Sequence, residues 1–130
     1  MNILKKIKKN LTSKQELKMS EIIADFASGI MSTAKDDYQR KSFLNCACTA
    51  WNISLFPEDQ IENQLDISVK DYESHNPNLD DSINYRHNLE QLIMLKYELY
   101  PDIKRMVAEA SIENKGDSEK VTVISMPFQR

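Results

Sequence analysis

The stretch NCACTAWNISLF, residues 45–56, decides how this chain is read. It holds both cysteines and the only tryptophan, set among small and apolar side chains. It is either a thiol site beside an indole or one helix buried in a core. On a helix, successive side chains turn by ~100°, so Cys46 and Cys48 point ~200° apart. Two thiols so placed neither chelate one ion nor close a relaxed disulfide. Phe43, Leu44, Ala47, Cys48, Trp51 and Leu55 recur at helical spacing and form one apolar stripe. The stretch therefore reads as the middle of a long amphipathic helix. Its cysteines act as small hydrophobes, and Trp51 supplies a large share of the buried area.

Working outward, STAKDD precedes this helix, and Asp36 or Asp37 can cap its start. LFPED ends it near Phe56 and opens the next, with Pro57 suited to a first helical position and Glu58 and Asp59 favouring the positive helix end. Ile61, Leu65, Val69 and Tyr72 give that helix its stripe. SHNPNLDD is a loop in which Pro77 restricts Asn76 and Asp80 or Asp81 caps a further helix, running from about residue 81 to about residue 100. Its face comprises Tyr85, Leu89, Leu92, Ile93, Lys96 and Leu99, with the Lys96 stem laid along it.

Upstream, TSKQE has the form of a capping box, Ser13 with Glu16. The helix it opens, from about residue 14 to about residue 33, carries Met19, Ile22, Ile23, Phe26 and Ile30 on one face. Gly29 inside it suggests close packing or a bend, because glycine costs roughly 1 kcal/mol against alanine there. Before it, residues 1–12 form a basic amphipathic arm, with Ile3, Leu4, Ile7 and Leu11 on one side and lysines on the others.

Downstream of LYPDI, the residues Ile103, Met106, Val107 and Ala110 suggest a shorter last helix. The tail then changes character. VTVISM is β-branched, and its backbone groups need partners. It can pair with EASIEN as a hairpin across Lys115–Ser118, with a second copy in a homodimer, or with a sheet edge in another protein. The predicted fold is thus mostly α: a four- or five-helix bundle over residues 13–113, with a short C-terminal β-hairpin or single strand in residues 114–130.

Composition agrees. Apolar residues make up 41% and charged residues 28% of the 130 positions, ordinary for one globular domain. Two glycines and four prolines are too few for the turns of a sandwich or barrel. Two cysteines do not make a disulfide scaffold, and the N-terminus lacks the apolar core of a signal peptide, so the expected location is cytoplasmic. No apolar run approaches the ~20 residues of a transmembrane span. The net charge of −3 hides an asymmetry: residues 1–18 carry six lysines against one glutamate, while residues 58–102 carry eleven acids against three bases.

No nucleophile, paired acid–base set, metal-ligand spacing or phosphate loop emerges, so no catalytic, cofactor-binding or metal residue is assigned. Cys46, Cys48, His75 and His87 do not follow zinc spacing. Asp102 after Pro101, with Glu113 and Lys115, resembles over a short span the pattern of PD-(D/E)xK metal-dependent nucleases. That resemblance implies acids holding Mg²⁺ and a lysine positioning water. It also implies a wide mixed sheet, of which this chain offers one strand or two.

The function expected from these features is a small non-catalytic protein-interaction module, an accessory subunit or an inhibitor- or antitoxin-like regulator. Its candidate contacts are Val121, Val123 and Ile124 on the strand, Lys5, Lys6, Lys8 and Lys9 on the arm, and Asp80 and Asp81 in the acidic middle. The expected partner is another protein or a second copy. The arm also suits weak, salt-sensitive contact with nucleic acid or anionic lipid. The alternative is a nucleic-acid-directed protein, binding through the arm or cutting with Asp102, Glu113 and Lys115.

Overall fold

The computed structural model describes residues 18–116 and 118–128. The basic arm and the Ser13–Glu16 capping box lie outside them. Helix α1 covers residues 18–31; α2 (Asp37–Ser54), α3 (Glu58–His75) and α4 (Leu79–Leu99) follow, then strands β1 (Arg105–Lys115) and β2 (Ser118–Pro127). The architecture is the predicted one, a helical bundle closed by an antiparallel hairpin. No helix among the described residues is long and apolar enough to cross a membrane.

Helix α2 is the hub. The Asp36 side chain caps it by accepting the Gln39 N–H at 2.8 Å. It packs against α4 and α3 and also against β1, so it is covered on more than one face. This explains why Cys46 and Cys48 are both buried although they point apart. Trp51 is wholly buried, with the Phe26 ring edge-on at 5.2 Å and the Tyr100 ring at 5.8 Å. Its Nε1–H donates to the Arg105 carbonyl at 2.7 Å, which satisfies the indole's one polar atom. Burying a side chain of this size stabilises the fold by roughly 5 kcal/mol at most.

Lys96 is buried as well, only 2% exposed, and does more than lay its stem along the helix. Its Nζ donates to the carbonyls of Tyr100 and Ile103, both at 2.8 Å, and sits 4.8 Å from the centroid of the Trp51 ring. The ammonium thus satisfies carbonyls at the end of α4 and in the link to β1. Tyr100 also reaches back to α1, its hydroxyl donating to the Asp25 carboxylate at 2.5 Å.

The predicted helix over Ile103, Met106, Val107 and Ala110 does not form; from Arg105 onward these residues belong to β1. The register explains the misleading pattern. Val107 pairs with Ser125 and Glu109 with Ile124, so Ala108 is an extra residue, a β-bulge. Inward-facing Val107 and Ala110 are therefore three apart, the spacing of a helical turn, where an unbroken strand would separate them by two. Beyond the bulge, Ala110 and Ile112 oppose Val123 and Val121 on the inner face, as the hairpin pairing of EASIEN with VTVISM requires. Lys115 opposes Ser118, which leaves a two-residue connection, and Gly116 takes φ +62°, a conformation that favours glycine.

Both edges of the hairpin are tied to helices. On β1, the Asn52 side chain takes both backbone groups of Val107: its Oδ1 accepts the N–H at 2.8 Å and its Nδ2 donates to the carbonyl at 2.9 Å. On β2, the Val123 N–H donates to Ser20 Oγ of α1 at 2.9 Å. Arg40 of α2 donates from Nε and a terminal nitrogen to the two oxygens of Glu119, a bidentate pair, and also to the Met31 carbonyl. The hairpin is thereby fixed at both strands, and one of its faces is left outward.

Candidate functional site

Two features of the surface invite a ligand or partner. The first is a cleft of about 580 Å³ between the N-terminal half of α2, the end of α3 and the first half of α4. Helix α2 gives it Tyr38, Gln39 and Phe43 at the sides and Cys46 in its wall. Tyr72 and the C-cap Asn76 come from α3. On α4, Asp81, Tyr85 and Asn88 recur at steps of four and three, so one helix face presents all of them.

The aromatic rings organise this cleft. Tyr72 and Tyr85 stack face to face, with centroids 4.1 Å apart and planes 6° from parallel. Burial pushes the Tyr85 hydroxyl up to about 12, and Tyr72 is raised by burial and then by the charge of Asp81. Burial likewise pushes the Cys46 thiol up to about 12, with Cys48 adding to the effect. A thiol so raised stays protonated near neutrality and is no nucleophile. The cleft thus offers rings, amides and one carboxylate, while none of its lining residues is Lys, Arg or His. A second groove of about 430 Å³ adjoins it, sharing Phe43 and Asn88 and continuing over Ile30, Leu92 and Leu95.

The second feature is the outward face of the hairpin. Ile124 is 53% and Met126 47% exposed, and Met106 opposes Met126 across the strands. Beyond β2, Phe128 packs against the core and meets the Phe56 ring edge to face at 5.2 Å.

The residues singled out from sequence fall in different places. Ile124 faces outward. Val123 is 2% exposed and Val121 is partly buried; both pack on the inner side of the hairpin. Asp81 lies on the cleft, and Asp80 lies beside it in the first turn of α4. Lys5, Lys6, Lys8 and Lys9 lie outside the described residues. Asp102 precedes β1, whereas Glu113 and Lys115 stand near its far end, roughly 25 Å on at ~3.3 Å per residue. The structure does not bring these three together, and the hairpin is two-stranded. Among the described residues, no group of three His, Cys, Asp or Glu side chains could hold a metal ion.

His75 is engaged locally. His75 Nδ1 lies 3.0 Å from the Asp71 carbonyl and from Ser74 Oγ. Glu90 pairs with Arg86, which also pairs with Glu62 and Asp66 of α3 at 2.8 Å.

Sequence reasoning missed the cleft. Tyr72 and Tyr85 signalled only buried stripes, and Tyr38, Asn84 and Asn88 carried no pattern. Nothing in the chain links residues 38, 72 and 85 until three helices pack. No family model, curated protein or solved structure matches this chain.

Proposed function

We propose that this chain is a non-catalytic protein-interaction module, an accessory subunit or inhibitor-like regulator, that presents the outer face of its C-terminal hairpin to a protein partner. The observation that carries this reading is the exposed pair Ile124 and Met126 on a hairpin whose other face is buried. Apolar side chains on a surface held in place by Asn52, Ser20 and Arg40 lose little conformational freedom on docking, which favours association. Glu109 stands directly opposite Ile124 and Lys120 lies farther along β2, so charged side chains border the apolar pair, as they do at the rim of a protein interface.

The test is a paired capture. The wild-type chain and an Ile124→Glu, Met126→Glu variant, shown by circular dichroism to melt alike, are immobilised and offered the native extract. A defined partner retained by the wild type and lost by the variant supports the proposal. A partner held equally by both places the contact elsewhere. Sedimentation equilibrium of the two proteins tells whether the partner is a second copy.

A further inference from the structure

We propose that the cleft between α2, α3 and α4 binds an organic cation carrying an apolar arm, with the charged head among the tyrosines and the arm along the adjoining groove. This is independent of the hairpin reading and concerns the opposite kind of ligand, a small group taken into a concavity.

The cleft is lined by Asp81 and by no basic side chain. Two carboxylates act on the rings: burial is the main cause that raises Tyr85 and Tyr72, and the charges of Asp71 and Asp81 respectively add to it. The positive end of α2 opens nearby but is occupied by the Asp36 carboxylate, and Asp81 stands in the first turn of α4. With one carboxylate and no basic side chain in the lining, the cleft disfavours an anion, while a cation gains Coulomb attraction.

Shape adds to charge. Tyr38, Phe43, Tyr72 and Tyr85 line the space with aromatic rings, the last two stacked on each other. Ring faces attract a cation through their quadrupoles, most strongly when the cation is weakly hydrated. About 580 Å³ exceeds what a small ammonium head requires and lies within the usual range for ligand pockets. Phe43 and Asn88 are shared with the second groove, whose Ile30, Leu92 and Leu95 suit an aliphatic chain and not a second charge. A free alkylammonium compound and a Lys or Arg side chain next to an apolar residue both have this chemistry.

Titration calorimetry on the full chain tests the proposal with four probes: choline, its neutral isostere 3,3-dimethylbutan-1-ol, hexyltrimethylammonium, and N-acetyl-lysine methylamide. Choline is expected to bind roughly tenfold more tightly than the alcohol, and hexyltrimethylammonium more tightly again, by roughly fourfold for each methylene buried. Tyr38 is 80% exposed, so Tyr38→Ala preserves the fold; it and Asp81→Asn should each weaken choline by roughly threefold or more. Tighter binding of the lysine derivative than of choline assigns the ligand to a peptide side chain, and the reverse order to a free small molecule. Equal binding of choline and the alcohol, no gain from the hexyl chain, unchanged affinity in both variants, or no binding by any probe overturns the proposal.

Discussion

Replacing Asn52 by alanine tests the contact that joins the helical layer to the hairpin. The Asn52 amide closes a two-point hydrogen bond on Val107, accepting at 2.8 Å and donating at 2.9 Å. Val107 is buried, so alanine leaves an N–H and a carbonyl on β1 without a partner and poorly placed for water. A buried polar group stripped of its partner costs about 1–3 kcal/mol, and two such groups on one residue share any relief that local opening provides. The expected loss is therefore about 2–4 kcal/mol. Asn52→Asp keeps the acceptor for the Val107 N–H but sets a carboxylate against its carbonyl, so the aspartate variant should also be destabilised. Urea unfolding reads the change as a lower midpoint at constant slope. Amide hydrogen exchange localises it, because Val107 should lose protection before Leu44 or Leu89. A stability within about 0.5 kcal/mol of wild type, or unchanged protection at Val107, would show that the Asn52 amide does not hold the hairpin.

Further outcomes follow from single residues. Burial lowers Lys96 to about 8, with Lys104 adding to the shift and Asp102 opposing it. The unfolded chain thus holds this proton more tightly than the folded one, and stability should rise as pH climbs from about 8 toward 9.5, by about 1–2 kcal/mol. Chemical denaturation at stepped pH checks this against Lys96→Met, which should lack the rise. The two glycines should respond oppositely to alanine. At Gly29, where a Cβ meets nothing within 4 Å, close packing is not the reason for the glycine, and Gly29→Ala should add about 0.5–1 kcal/mol. Gly116 has equal space but φ +62°, so Gly116→Ala should cost about 1 kcal/mol; thermal melts of the two variants distinguish the signs. The thiols of Cys46 and Cys48, both pushed up to about 12, should resist an aromatic disulfide reagent at pH 8 and react at once in denaturant.

The helices were legible because amphipathic spacing and capping are local properties. Leu65 and Val69, and Leu89, Leu92 and Ile93, lie where their stripes put them, and Asp36 caps as its position before α2 implies. The stripe on α2 was too narrow a description: Cys46, Ala50 and Ile53 are buried too, because α2 has a sheet on one side and helices on the other. Leu99 shares the apolar face of α4 by its spacing but is half exposed, since the chain turns away there toward Pro101. Residues 105–110 misled because a bulge lengthens the step between inward positions from two to three.

Local sequence therefore determined the helical segments up to α4, and that the last part of the chain would seek a strand partner, but not the start of α4, which begins at Leu79, before Asp80 and Asp81. The reason is that helix periodicity, end capping and β-branching act over a few neighbouring residues. The packed structure alone decided that VTVISM pairs within the chain, that Val123 is hidden while Ile124 is exposed, and that Lys96 is enclosed beneath the Trp51 ring. It alone brings Tyr38, Tyr72 and Tyr85 around one cleft. These outcomes depend on contacts between residues dozens of positions apart, whose free energy exists only once the helices have closed on one another.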